Sequence, residues 1–548
     1  ANPAHAVNID REVVDNAAAK HVTPAVDAPI SLDEVSLAQR SRLTNFKAGS
    51  PVDGLLPELL QRHGPEPDAL SGEAHPFQFL TDALHRLFNL VLDLEVVPTA
   101  WKESAIYPIY KQNGLPREDC SSYRPVSLLS VLGKLFDSIL TNRMHEFLEK
   151  GHHLDDHQWA FRKNRSAPDL VWLVSEVIER RREDDQITFL CAIDVRKAYD
   201  TVWHNGLFAK LARTGLNGKL WRVLREWYTG NTSCVLVDGQ RSDSFPNHHG
   251  VRQGAPSSCN LYSVFVNSVV ENMRNANIGV TVEGVWLGLL LFADDMLLLA
   301  RTEEELQAMM AVVDECAANW QYELSDTKSH VLITSATSRR QDYVPEVPFT
   351  LNGKPVAVVD AIKYLGVEVT STGKWKEVCD RLRRSAPARM GILASTGANM
   401  YGYHTATAAR IYNAKVRPIT DYAADVWIPD TTRTRELEVL HNWATRTITG
   451  LPKSTAVEAL LGEVGFYTST MRRDELKLRR LFRLHNMPDE CVVKRVYNIR
   501  REDWKQRRRR KLGLPWMYAV EEIANRVGLA GALQDPDSAF DRLNKEEW

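Results

Sequence analysis

The sequence predicts an α+β fold, and three observations carry that reading. Apolar residues recur at i, i+3 and i+4 between about 43 and 186, short apolar runs of strand type dominate 187–375, and helical spacing returns from there to about 485. A chain of 548 residues should divide into several domains around more than one core.

Taken in order, residues 1–40 are Ala-rich, acidic and weakly patterned, which reads as an N-terminal arm or partly ordered tail. The start on Ala1 suggests trimming or processing. Within 41–186, LHRLFNLVLDL and VLGKLFDSILTNRMHEFLE have helical spacing, and SAIYPIYK should sit in a strand pair. The segment 187–375 contains ITFLCAIDV, CVLVDG and LLLFADDMLLLA, all of strand character. Residues 376–485 are helical. The extension 486–548 carries a dense basic run at 507–511 and an amphipathic segment at 517–527, with no role assigned to either.

A formal net charge of −2 conceals local clusters. Basic residues gather at 162–165, 180–182, 381–384 and 507–511; two of these four should be solvated helix faces. FRKNR follows Trp159 and Phe161, a mixture suited to phosphate contact and base stacking. The seven cysteines form no CxxC or CxxH pair, as expected of reduced thiols in an intracellular protein without a zinc knuckle. No apolar stretch is long enough to span a bilayer without a charge, so no membrane partner is expected. Nucleus or cytoplasm fits, with an organelle left open.

The chemistry concentrates in LLLFADDMLLLA. Asp294 and Asp295 interrupt two apolar runs, 285–292 and 296–300, and should lie at the tight turn of a buried hairpin. A carboxylate beside so much hydrocarbon needs either a raised pKa or a cation. A water-facing Asp-Asp turn is the alternative. The second acidic strand, ending on Asp194, favours the cation. Magnesium prefers oxygen ligands, uses few protein carboxylates and keeps sites for phosphates. Asp194, Asp294 and Asp295 would hold two such ions, an arrangement that fits phosphoryl transfer.

FADD, AIDVRKAYD and GVRQGAPSS resemble, in chain order, the palm motifs of reverse transcriptases. VPTAWKESAIYPIYKQNG, SSYRPVSLLSVLGKLFDSIL and HQWAFRKNRSAPDLV resemble the fingers of the non-LTR (LINE-type) retrotransposon branch. IKYLGVEV is similar to its primer grip, and TDYAADVW with LEVLHNWATRTITGLP to its thumb. The likeness runs from about 45 to 487. It implies a right-hand polymerase: fingers 41–186, palm 187–375 with an antiparallel sheet, helical thumb 376–485, flanked by the arm 1–40 and the basic extension 486–548. No endonuclease domain is recognisable, and the first forty residues are too short for one.

By the same resemblance Asp194, Asp294 and Asp295 are the catalytic metal ligands, with the carbonyl of Val195 as a further oxygen. Tyr199 is the steric gate that would exclude a 2′-hydroxyl; the alternative is a core aromatic. Gln253 and Gly254 lie against the nascent base pair. GVRQGAPSS departs from the family at Ala255, Ser257 and Cys259. Lys111, Arg124 and Arg162 are the fingers cations for the triphosphate, each with a surface salt bridge as its alternative. Lys328 stands near the leaving pyrophosphate, with Ser325 where Asn is usual. Tyr364, Leu365 and Gly366 form the primer-grip turn. KAGSPVDG is similar in location to the family's KAPGPDG segment.

The expected activity is RNA-directed DNA synthesis from a DNA or RNA primer on an RNA template, using dNTPs and two Mg2+ ions. A nuclease or ribonucleoprotein partner is compatible with it. The rival is a domesticated retroelement protein serving as an RNA-binding or scaffold subunit. Retention of three mutually repelling carboxylates argues for the enzyme. An RNA-templated RNA polymerase would share the metal chemistry without needing Tyr199.

Overall fold

A computed structural model describes residues 3–42, 50–60, 76–111, 114–335, 343–373, 375–395, 404–506 and 516–536. The chain forms two compact units that interleave in sequence: Ala1–Phe161 with Val195–Asn275 and Ala311–Ser325, and Arg162–Asp194 with Ala276–Met310 and Asp326–Trp548.

In the first unit, the weakly patterned start is helical over Pro3–Ala18, Pro24–Asp27 and Leu32–Arg42. Ile9 and Val13 are buried, Glu12 pairs with Arg213 at 2.7 Å, and the buried Asp27 carboxylate accepts from the Thr23 and Leu220 N–H groups. Long-range polar anchors, which periodicity does not register, explain why the pattern underrates this stretch. Further on, Ser130 caps the helix Val131–Lys150 by accepting from the Gly133 N–H. The expected strand pair is present, with Glu103–Tyr110 antiparallel to Tyr123–Leu129.

CVLVDG does not join the acidic strands. Its strand, Thr232–Val237, runs parallel to Glu103–Tyr110. The reason lies in the preceding helix Lys219–Tyr228, whose Trp227 packs among Trp101 and Phe136 and donates to the Trp101 carbonyl at 2.9 Å. That docking delivers the next strand to the edge of Glu103–Tyr110.

The second unit is built on a sheet ordered Ala357–Val358, Leu324–Thr334, Thr188–Val195, Asp295–Ala300, Leu289–Phe292. The acidic strands pair antiparallel, while the edge pairing at Ala357–Val358 is parallel. Met296 to Ala300 are all buried, and each large apolar side chain there contributes roughly 1.5–3 kcal/mol. The apolar run 285–292 is not one strand. Val285–Trp286 pairs with Thr281–Val282 in a separate hairpin, and the break falls at Gly288, where a Cβ would meet the Ile278 carbonyl at 2.9 Å.

Helices Ser469–His485, Val492–Lys505 and Trp516–Arg526 complete this unit. The apolar face of the last is core: Trp516, Met517, Val520 and Ile523 are buried, and Trp516 meets Trp172 edge-on at 5.7 Å. The run 507–511 lies outside the described residues. Two other basic clusters are consumed locally, Arg180 by Asp184 and Asp503, Arg381 by Glu368, and Arg383 by Glu436. Among the described residues no helix is long and apolar enough to cross a membrane.

Arg500, 3% exposed, binds Glu176 at 2.8 Å and Glu183 at 2.8 Å, fastening Val492–Lys505 to the helix Ala167–Glu183. Removing one member of such a buried pair strands the other. Arg500→Ala should therefore cost about 3–5 kcal/mol in urea unfolding, and Arg500→Met with Glu176→Met should recover much of it.

Candidate active site

Asp194 is the penultimate residue of Thr188–Val195, and the antiparallel register sets it directly opposite Asp295. Side chains so opposed share one face of the sheet, with Cβ atoms about 4.5–5.5 Å apart. Phe292 pairs with Asp295, so Ala293 and Asp294 alone make the turn. Ala293 has φ +57°, a left-handed conformation that costs a residue with a Cβ about 1–2 kcal/mol. Two buried strands hold it there.

The electrostatics follow from crowding. Burial, then the charges of Asp294 and Asp194, lift the Asp295 pKa to about 6. Asp295 is itself exposed, so the surrounding protein, not full enclosure, supplies that burial. Asp294 is raised too, first by burial and then by Asp194, against its own backbone N–H and Lys328. Lys328 Nζ lies 3.5 Å from Asp194 but is 70% exposed. At such exposure an ion pair is worth about 0–1 kcal/mol, too little to balance three carboxylates. The Asp194 N–H donates to Ser329 Oγ at 3.2 Å.

This donor set suits a hard divalent cation: all oxygen, anionic, mutually repelling and open on one side. Among the described residues no group of three or more His, Cys, Asp or Glu side chains is arranged to hold a metal ion by itself. Mg2+ takes one or two protein carboxylates and completes its shell with water and substrate phosphates.

The same unit carries the IKYLGVEV hairpin, Ala361–Tyr364 against Val367–Thr370. Leu365 at φ +46° and Gly366 at φ +81° make a two-residue turn of the kind that matches strand twist. Tyr422, from TDYAADVW, donates its hydroxyl to the Leu365 carbonyl at 2.6 Å, and a Cβ on Gly366 would come within 3.1 Å of its ring. Tyr364 is buried; its phenol is pushed far up by burial and then by the nearby charge of Asp295. The hairpin therefore lies within electrostatic reach of the acids.

In the first unit, the GVRQG loop is strapped by its backbone. Gly250 N–H donates to the Val202 carbonyl, Val251 N–H to that of Tyr199, and Ser127 N–H to that of Gln253, at 2.7–2.8 Å. Gln253 Nε2 donates to Asp200 at 2.9 Å. Gly254 is obligatory: φ is +130° and a Cβ would sit 2.7 Å from the Ser127 carbonyl. Tyr199 stacks face to face on Tyr262, with centroids 4.7 Å apart. Arg252 is buried over Trp227, and Asp137 below it accepts from both the N–H and Oγ of Ser257. Lys111 donates to the Ser121 carbonyl and Arg124 is exposed. Arg162 falls in the second unit and is 9% exposed, whereas its neighbour Lys163 is exposed.

Three positions give no signal in the sequence. Arg252 stands inside a motif but is indistinguishable from a surface cation. Ser329 and Tyr422 act through single hydrogen bonds for which no spacing rule exists. Of KAGSPVDG, residues 47–49 lie outside the described residues.

Residues 109–369 match the family described as reverse transcriptase (RNA-dependent DNA polymerase). The chain is 26% identical over 413 residues to the RNA-directed DNA polymerase from mobile element jockey of Drosophila melanogaster, covering 73% of this chain and 44% of that protein. It is 27% identical over 323 residues to the Pol polyprotein of type-1 retrotransposable element R2 of Nasonia vitripennis, covering 58% and 30%. These matches span less than half of either relative. Telomerase from Candida tropicalis with a fragment of telomeric RNA aligns at TM-score 0.36 and 11% identity, over 75% of this chain and 68% of that one, a likeness too slight to carry an argument.

A carboxyl with a raised folded pKa favours the folded state while protonated, so the metal-free protein loses that stability as pH rises through about 6. A divalent cation should restore it. Thermal melts with and without Mg2+ should show no stabilisation below that pH and a growing one above it, and Asp295→Asn should abolish the step.

Proposed function

For a chain that carries a reverse transcriptase domain of the non-LTR, LINE-type retrotransposon class, we propose RNA-directed DNA polymerase activity, with dNTPs added to a primer 3′-hydroxyl on an RNA template. The observation that carries this reading is the opposition of Asp194 and Asp295 across one strand pair, with Asp294 in the adjoining turn.

Asp194, Asp294 and Asp295, with the Val195 carbonyl, would hold two Mg2+ ions. Bound there, such ions would supply Lewis acidity toward the attacking hydroxyl and charge neutralisation for the leaving pyrophosphate. The carboxylates fix the charge that gathers the triphosphate at the sheet end. Lys328 would give a proton to the leaving pyrophosphate, a role supported by its exposed ammonium 3.5 Å from Asp194.

Tyr199 acts as the gate against a 2′-hydroxyl, and the Tyr262 ring behind it supplies the rigidity such a steric test needs. Gln253, fixed through Asp200, and Gly254 face the nascent pair. Lys111 and Arg124 meet the triphosphate, with Arg162 acting from within its loop. Tyr364, Leu365 and Gly366 hold the primer end. The template–primer hybrid is recognised through backbone and A-like shape, so affinity falls steeply with salt. On this reading the chain divides into fingers 41–186, palm 187–375 and thumb 376–485.

Primer extension on an RNA template tests the mechanism. Asp294→Asn should lower the rate by about 10³-fold, the scale expected when several kcal/mol of metal-borne stabilisation is lost. Equal rates would remove the mechanism. Tyr199→Ala should raise ribonucleotide incorporation without a matching fall in dNTP use; an unchanged ratio reassigns that ring to packing.

A further inference from the structure

The basic loop 162–165 precedes the helix Ala167–Glu183 and is held from far along the chain. Asp169, wholly buried, accepts from the Ser166 N–H at 2.8 Å, which closes the helix start. The same carboxylate receives Arg480 Nη1 at 3.0 Å and Arg483 Nε and Nη2 at 3.0 and 2.7 Å. Arg480 is itself buried and anchored on Asp425 at 2.7 Å. Arg483 Nη2 also donates to the Asn164 carbonyl at 2.7 Å. Asn164 is left-handed at φ +59°, a conformation open to asparagine, and this bond fixes that turn in place.

The loop's side chains divide. Arg162 is buried, Arg165 half-buried and Lys163 exposed. Immobilising a loop lowers the ordering cost of whatever its exposed group binds. Resting on the polymerase reading, we propose that Asp169, Arg480 and Arg483 are positioning residues for this loop and that Lys163 is its contact to a nucleic-acid backbone phosphate.

Binding of the full chain to a labelled oligo(dT)–poly(rA) hybrid, measured across a salt series, tests it. Removing the cation that neutralises one phosphate should reduce the slope of log affinity against log salt by about 0.7–0.9. Lys163→Gln should show that reduction. Arg483→Lys should show it as well, although no charge is removed, because lysine cannot form the fork to Asp169 and Asn164. Combining the two should reduce the slope no further than either alone. Arg479→Gln, an exposed change on the same helix, should leave the slope intact, and circular dichroism melts confirm that each variant is folded. A steep wild-type slope unchanged by Lys163→Gln, a normal slope in folded Arg483→Lys, or additive reductions would overturn the inference while leaving the polymerase reading standing. A wild-type chain that neither binds the hybrid nor extends it would end both.

Discussion

Three carboxylates that repel one another are held at one end of a sheet, and much of the second unit can be understood as what keeps them there. Left to themselves they would separate or take up protons. The restraint is strand register: Asp194 and Asp295 are paired residues of adjacent strands, and a slip of one position would send either side chain to the opposite face. Register in turn is secured by the buried run Met296 to Ala300, whose apolar burial outweighs the repulsion and the left-handed Ala293. Hydrophobic packing here does electrostatic work at a distance of one or two residues.

That dependence explains what is legible in the sequence. Apolar runs broken by acids announce themselves, so the hairpin and the Asp194 strand can be read from residue pattern alone. The turn falls between them because Ala293 and Asp294 are bounded by strongly apolar residues. The turn at Leu365 and Gly366 is found through the resemblance of IKYLGVEV to a family motif, and two short strands flank it. What pattern cannot supply is partnership. CVLVDG looks like any other strand of the acidic region, and its true neighbour is set by where Trp227 docks. Likewise 285–292 reads as one run, and only the crowding at Gly288 shows why it splits.

The buried charges escape for a related reason. Arg252, Arg480, Arg483 and Arg500 are each one arginine among many until a carboxylate or an aromatic ring is placed beside them. The capping pattern at Ser166 and Asp169 is visible in principle, as a small polar residue three positions before an acid ahead of an apolar run. Its second use, as the acceptor for two distant guanidinium groups, is not. Polar residues at 1–40 are underrated in the same way, because their anchoring partners lie far along the chain.

Those separations have a temporal side. Arg480, Arg483 and Arg500 reach partners 311 to 324 residues earlier. During synthesis, Asp169 and Glu176 leave the ribosome long before any of these arginines exists, and the unit that carries the acidic strands must wait for them with charges exposed to water or to chaperones. Assembly of such non-local contacts is slow and prone to interception. A chain that ends before position 480 lacks the two guanidinium groups that Asp169 accepts from, so the start of the helix Ala167–Glu183 is left without its long-range latch.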